Sequence, residues 1–315
     1  MAKVVLVSTS TRNFSVEDIN KSVTRALELL NFGFNCKIEK VVIKPNLCYY
    51  WDWSTGETTD PRVVAATIDY VRERLGKKAN ILVAEADASA MRTKYCFGVL
   101  GYEKSCREKN VGLINMSEGD VIERKVVVED KELTLPMNRV LLDADLVINI
   151  PKLRTHNIVE MTCALKNMFG AIAKPRKFSY HNVLPYAIVG ANKLVKSGIC
   201  LVDGLVARGS HPRKLGVLIA GDDPLATDFV AARIMSLNPW KIQYLNMAEK
   251  EKIGDVSNIH LIEDNVKLKD VRNHFPGYNY LLHRISWSAQ LKLLKTYARI
   301  VGDVIPPVLE QHGTS

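Results

Sequence analysis

The chain of 315 residues carries 43 Lys and Arg against 34 Asp and Glu, a formal net charge of +9, with 47% hydrophobic and 24% charged residues. That composition excludes disorder, a collagen-like repeat and a small disulfide scaffold, and the length suits one large domain or two ordinary ones. The basic balance favours anionic partners (small phosphates or carboxylates, nucleic acid, an anionic membrane surface) without choosing among them.

The N-terminus enters a strand directly at 4–8, with no basic region and long apolar stretch before it, so no signal peptide is expected. Amphipathic spacing predicts a helix over Val16–Leu30, and a strand follows at 41–44. Thr59-Asp60-Pro61 offers a cap and then proline at the first helical position, predicting the helix Pro61–Leu75. Further strands are predicted at 81–85, 111–115, 146–150, 199–203 and 217–220. Several are continuous Val/Ile/Leu runs bounded by polar turns, as strands buried on both faces should be. Asp222-Asp223-Pro224 repeats the cap-and-proline signal before a helix at 225–235. Strands alternating with helices predict an α/β fold, a three-layer sandwich around a mostly parallel sheet, over residues 1–265.

The segment 266–315 has a different character. A proline-glycine turn precedes a helix-like stretch carrying Arg284, Lys292, Lys295 and Arg299 among Leu, Ile, Trp and Tyr, ending before Pro306-Pro307. It reads as a C-terminal helical extension that packs on the core, makes a subunit contact or lies on a membrane surface. No apolar run reaches the roughly 18 residues of a membrane span. The six cysteines, at 36, 48, 96, 106, 163 and 200, form no C-x-x-C pair. Free thiols in a reducing cytoplasm are expected, and no iron–sulfur cluster.

Ligands of such sheets collect beyond the carboxyl ends of the strands, so polar residues at those ends are the candidates. Lys44-Pro45-Asn46 closes the second strand, and the proline fixes the exit direction. It either holds a ligand or forms a solvated strand end. Glu85-Ala86-Asp87 closes the third; carboxylates there can bind a metal, act as a base, orient a histidine or cap a helix. After the strand at 146–150, Lys152, Arg154 and His156 fall at alternate positions and share one face if the chain is extended. A helical segment with Lys166 and Asn167 follows, then Lys174, Arg176, Lys177, Tyr180 and His181. From 152 to 177 six basic residues accompany a single acid, Glu160, a balance that suits an anion. An exposed basic surface explains 174–177 equally well. It explains Lys166 poorly, because Ala164-Leu165 and Met168-Phe169 beside it look buried. A lysine among apolar residues has a lowered pKa, which suits a base or a covalent attachment point. His156 and His181 are candidates for proton transfer or for core hydrogen bonding. Asp203-Gly204 ends another strand, with Arg208 beyond it. Asp222 or Asp223 suits helix capping, and Asp228 can reach the mouth of the sheet.

No Walker loop, G-x-G-x-x-G, H-E-x-x-H or G-x-S-x-G occurs in the sequence. Standard ATPase, Rossmann dehydrogenase, zincin and α/β-hydrolase readings therefore lack their residues.

The sequence resembles the uncharacterised family called domain of unknown function 362. The pieces that carry the resemblance are VVIKPNL at 41–47, TTDPRVVAATIDYVRE at 58–73 and ILVAEAD at 81–87, then ADLVINIPKLRTH at 144–156, ALKNMFGAI at 164–172, DGLVARGSHP at 203–212 and GDDPLATD at 221–228. The resemblance covers roughly residues 3–265. The resemblance implies a fold and little established chemistry. Many members carry a ferredoxin-type module whose cysteine runs this chain lacks. The segment from 144 is also similar to the nucleotide-pincer part of nickel-dependent lactate racemases. There a histidine, a lysine that tethers the nickel-pincer cofactor and a second histidine follow a strand; His156, Lys166 and His181 fall in that order here. The racemases' further histidine has no counterpart in Glu85-Ala86-Asp87-Ala88-Ser89, and Met161-Thr162-Cys163-Ala164 replaces a glycine-rich run. The likeness implies a shared scaffold more than shared chemistry.

These observations together suggest an enzyme of unassigned reaction that takes a small carboxylate or phosphate at the strand ends. Lys44, Asn46, Lys152, Arg154, Asn167 and Arg208 would bind it. Lys166, His156 and His181 would move protons or form a covalent bond. Glu85, Asp87, Asp203 and Asp228 would orient a histidine or hold a divalent metal, the cofactor being otherwise unknown. The alternative is a non-catalytic protein that binds an anionic metabolite and docks on a membrane or a partner through its C-terminal segment. Nucleic acid is not an expected partner, because the basic excess lies near candidate pocket residues and not along one helix.

Overall fold

The structure is a computed structural model, described for residues 1–9, 14–89 and 91–277. The helix expected between the Pro276-Gly277 turn and Pro306 lies outside the described residues.

Strand β1 (Ala2–Ser8) leads through α1 (Val16–Leu30) to β2 (Lys40–Pro45), and α2 (Pro61–Leu75) leads to β3 (Asn80–Glu85). Two short helices, α3 (Thr93–Val99) and α4 (Tyr102–Glu108), precede β4 (Gly112–Asn115). A hairpin of β5 (Val121–Val128) and β6 (Lys131–Asn138) and the single turn α5 (Arg139–Leu142) come before β7 (Leu146–Ile150). Then follow β8 (Lys152–His156), β9 (Glu160–Thr162), α6 (Ala164–Phe169) and α7 (Leu184–Leu194). The chain closes with β10 (Ile199–Arg208), β11 (Pro212–Gly221), α8 (Pro224–Ile234), α9 (Gln243–Lys250), β12 (Ile259–Glu263) and α10 (Leu268–His274).

The main sheet is ordered β12-β1-β11-β10-β7-β2-β3-β4. Along that path only β11 runs against its neighbours, so the sheet is mostly parallel, as the continuous apolar runs predict. Alternate residues of each strand feed two separate cores. Val41, Ile43 and Ile148 pack with α1 and α2 on one face, while Val42 and Val147 pack with α6, α7 and α8 on the other. That is the three-layer arrangement, imposed by the two-residue period of a pleated strand.

Capping sets the helix starts where the sequence places them. Ser15 accepts from the Asp18 amide, Asp60 from the Arg62 amide, and Asp223 from the Leu225 and Ala226 amides. Pro61 and Pro224 occupy the first helical positions. Each such cap stabilises its helix by about 1 kcal/mol.

The hairpin β5–β6, the short β9 and the edge strand β12 were outside the predicted set. Val126, Val128, Leu135 and Met137 of the hairpin are buried in the same core as α7, while Glu123, Arg124 and Lys125 face water. One-sided burial leaves a charged, weakly apolar sequence that does not resemble the buried runs. Near the C-terminus, Val271 and Phe275 of the α10 region are buried in the core that holds α8. The α/β body therefore extends past residue 265.

The order of the strands creates one special place. From β2 the chain moves to β3 and β4 on one side, and from β7 it moves to β10 and β11 on the other. The helices that make those connections, α2 and α6–α7, lie on opposite faces. The carboxyl ends of β2 and β7 thus form a topological switch point, where connections part and leave a crevice.

Candidate functional site

A cleft of about 150 Å³ opens at that crevice, among its walls Lys44, Glu85, Lys166, Asn167, Phe169 and Lys177. A wider hollow of about 890 Å³ lies at the amino ends of the same strands, beside Lys40, Asn80 and Asp145. It carries lysine, arginine and carboxylates of balanced sign at the end of the sheet that ligands rarely use, so the smaller cleft is the candidate.

The floor of the cleft is a buried polar network. Lys44, fully buried, places its Nζ 2.9 Å and 3.0 Å from the two carboxylate oxygens of Glu85. The same ammonium donates to the Pro45 carbonyl at 3.1 Å and to Asn167 Oδ1 at 3.3 Å. Glu85 also accepts from the Leu47 and Ala86 amides. Asn167 in turn donates to Asn149 Oδ1 at 2.8 Å. Gly170 makes room for this: a Cβ there would lie 3.0 Å from Lys44 Nζ and 2.9 Å from the Asn167 carbonyl. Lys44 therefore lines the cleft with its charge already matched. Asn46 and Asn167 line it too, but Asn46 Nδ2 donates to the Glu57 carbonyl and Asn167 serves the network.

Helix α6 is fixed at both kinds of backbone group. Asp228, fully buried, accepts from the Ala164 amide at 2.6 Å and the Leu165 amide at 3.0 Å. Asn149 donates to the Ala164 carbonyl and Asn192 to the Leu165 carbonyl. Burial raises the Asp228 carboxyl to about 7 against the lowering effect of those amide donors. Its role is to cap the helix that carries Lys166.

Lys166 stands out by its lack of acceptors. Its Nζ lies 4.5 Å from the centre of the Phe169 ring, and among the described residues it has no hydrogen-bonding or ion-pair partner. Burial, then the nearby Arg154 and Lys44, lower its pKa to about 8, opposed by Cys48. Lys177, expected on a basic surface, is instead 6% exposed and donates to the Asp87 carbonyl. Burial lowers it to about 7, with Glu85 and Asp87 opposing and Lys44 and Lys166 assisting. The sequence K-P-R-K carries no local signal that separates it from Lys174. It is buried because the 3-10 turn over 177–183 folds back under the end of β3.

The two histidines are half-buried, and neither is among the residues that line the cleft. His156 Nδ1 accepts from the Ile158 amide at 3.1 Å and the Val159 amide at 3.4 Å. Burial, then Lys166, Arg154 and His181, hold its pKa well below the usual value. The ring is neutral with its proton on Nε2, so it is a donor and a turn-shaping residue, not the base its position suggests. His181 lies on the 3-10 turn near enough to His156 to contribute to that lowering. Of the four positions 44, 156, 166 and 181, Lys44 and Lys166 line the cleft and the two histidines do not.

Other expected anion binders are internally neutralised. Lys152 Nζ lies 2.8 Å from Asp203 Oδ2, with both side chains at 0% exposure. Asp203 also accepts from the Asp60 and Leu205 amides. This is a buried ion pair of the framework, and Lys152 is not available to a ligand. Arg154 and Arg208 share the carboxylate of Glu57, a residue the sequence does not single out. That carboxylate lies on the loop after β2, where Gly56 has φ +73° and a Cβ would meet Arg208 at 2.9 Å.

The same geometry engages each of the four carboxylates expected to hold a metal. Glu85 pairs with Lys44, Asp203 with Lys152, and Asp87 with Arg92 and the Thr93 amide, while Asp228 caps α6. Among the described residues no three His, Cys, Asp or Glu side chains gather as a metal would need. A nickel-pincer group fits no better. His156 Nδ1 is committed to amides, and a cleft of about 150 Å³ is below the ~300–1,000 Å³ of cofactor-sized pockets.

Residues 41–233 match the family described as domain of unknown function (DUF362). The chain belongs to that family. A thylakoid-associated protein of Synechocystis sp. is 29% identical over 232 residues, covering 69% of this chain and 68% of that protein. The lactate racemase apoprotein from Thermoanaerobacterium thermosaccharolyticum aligns with a TM-score of 0.46 and 16% identity over 72% of this chain. The DUF362 chain spans 56% of the racemase's length. Among the described residues no helix is long and apolar enough to cross a membrane.

Proposed function

We propose that this DUF362 protein is an enzyme that binds a small carboxylate or phosphate at the switch point and uses the Lys166 amine in acid–base or covalent chemistry. One observation supports the reading above the others: the polar hydrogens left uncommitted in the cleft belong to donors. Among the described residues the Lys166 ammonium has no acceptor, Lys177 uses one N–H on a backbone carbonyl, and the Ser89 hydroxyl accepts from Phe178 and keeps its own proton to give. The acceptors of Glu85 and Asn167 are already engaged. A ligand that completes such a site is rich in acceptors and negatively charged.

The chemistry follows from the amine. At a pKa of about 8 it exists in both forms near neutrality, so it can take a proton from a bound substrate and return it. As a free amine it can also attack a substrate carbonyl, forming a C–N bond as water leaves. Competitive acetylation of the lysines across pH tests this reading, with phosphate and acetate as protecting ions. Lys166 is expected to titrate near 8 and to be protected by one of them. Titration in the ordinary lysine range with no protection would remove the amine from the scheme.

A second reading has separate support. The net charge of +9 and the thylakoid-associated relative favour a peripheral position, in the cytoplasm, against an anionic membrane surface. Sedimentation with anionic and neutral vesicles separates it: retention in the supernatant with both would exclude surface docking.

A further inference from the structure

We infer that the group recognised in the cleft carries two negative charges and is held between the ammonium groups of Lys166 and Lys177. The inference rests on the anion-binding reading above and narrows its substrate class to a dianion, such as a phosphate monoester or a short dicarboxylate.

The geometry that carries it is a charge count around one small space. Among the described residues the cations that line the cleft are Lys44, Lys166 and Lys177. Glu85, the carboxylate among the described walls, is engaged with Lys44; outside the walls Asp87 is engaged with Arg92, and Glu57 with Arg154 and Arg208. Among the described residues Lys166 and Lys177 have no carboxylate paired with them, and they line the same cleft. A monoanion would neutralise one ammonium and leave the other buried beside it. A dianion neutralises both. The volume, about 150 Å³, equals about five waters at ~30 Å³ each, room for a compact tetrahedral or planar group.

The surroundings of each amine explain why the protons are only partly present beforehand. Lys166 faces Arg154 from β8, Lys44 from β2, Cys48 from the loop after β2, and His156 and Lys177. Lys177 faces Lys44, Glu85, Asp87 and Lys166. Burial is the largest cause for both and the neighbouring cations add to it, so each amine sheds its proton readily until a counter-charge arrives. Binding and protonation are then linked, and the dianion must bring protons with it from solution.

Sulfate and nitrate provide the test, because neither titrates near neutrality. Calorimetric titration of the full chain at constant ionic strength, in two buffers of different ionisation enthalpy, yields affinity and proton uptake together. Midway between the two lysine values, at a pH of about 7.5, sulfate should draw in about one proton per site. It should also bind about tenfold or more tightly than nitrate. Lys177→Met should bring sulfate down to the nitrate level. Lys177→Arg keeps a charge that never titrates, so it should preserve the sulfate preference and cut the uptake to about a quarter of a proton. Equal binding of sulfate and nitrate by the unmodified chain, without proton uptake, would overturn the dianion while leaving the anion site intact. Failure of both ions to bind would overturn both. The unmodified chain decides between these by itself, whatever the variants do to folding.

Discussion

Asp203→Asn removes the charge that answers Lys152, and the structure sets the size of the effect. The pair is 2.8 Å apart at 0% exposure, and Asp203 also accepts from the Asp60 and Leu205 amides. Breaking a buried pair by neutralising one partner costs about 3–5 kcal/mol, because the other charge stays buried without compensation. Asparagine keeps one carbonyl acceptor, which places the expected loss near about 3 kcal/mol; Asp203→Ala leaves further amides unpaired and should exceed about 4 kcal/mol. Adding Lys152→Met to Asp203→Asn removes the stranded ammonium and should recover about 2 kcal/mol, a coupling well outside the additive range. Urea unfolding followed by tryptophan fluorescence measures all three, and sulfate titration of the folded variants should be unchanged. If Lys152→Met instead unfolds at the wild-type midpoint and loses sulfate binding, Lys152 is a ligand-binding residue and the framework assignment is wrong.

Three further outcomes are expected. Gly170→Ala drives a Cβ to 3.0 Å from Lys44 Nζ and 2.9 Å from a carbonyl, and should lower stability by about 1–3 kcal/mol in thermal unfolding; an unchanged midpoint would show that the α6 end yields. Asp228 has a folded value of about 7, above its ordinary 3.8, so its contribution is whole below about 3.8, declines as pH rises and is gone above about 7. Asp228→Asn should flatten the thermal midpoint over that window, and an unaltered pH slope would refute the assignment. Lys166 is shifted the other way, from 10.5 to about 8, so its ammonium burdens the fold below about 8 and is relieved as pH rises. Lys166→Met should therefore stabilise the protein at neutral pH, on the order of 1–2 kcal/mol after allowance for partial exposure, with the gain fading toward pH 10.5.

The strands and the first two long helices are legible in the sequence because their signals are local. Val16–Leu30 and Pro61–Leu75 are bounded by their own caps, and LVINI in β7 is buried at every position. The list of polar residues at strand ends is legible for the same reason. Their partners are not, since pairing is settled by the fold. Lys44 meets Glu85 41 positions away, Lys152 meets Asp203 51 away, and Arg154 meets Glu57 97 away. A charge at a strand end therefore looks the same in the sequence whether it is neutralised or open. Lys166 was distinguishable because α6 buries its other side chains around it. Lys177 was not, because its neighbours Arg176 and Lys174 are exposed and only the turn places it beneath Asp87.

The way this fold disposes of charge is itself an argument about where chemistry occurs. Isolated buried ammonium groups are expensive, and the sheet mouth matches Lys44 and Lys152 with a carboxylate apiece. Among the described residues Lys166 has no such match, although the helix that holds it is tied at both kinds of backbone group: Asp228 binds its first amides, and Asn149 and Asn192 bind its first carbonyls. A rigid helix presenting an amine that the rest of the network declines to neutralise is the reverse of what stability alone selects. If the amine only filled space, a methionine would serve at lower cost. Its retention in a firmly held position is best accounted for by a negatively charged ligand that supplies the missing counter-charge.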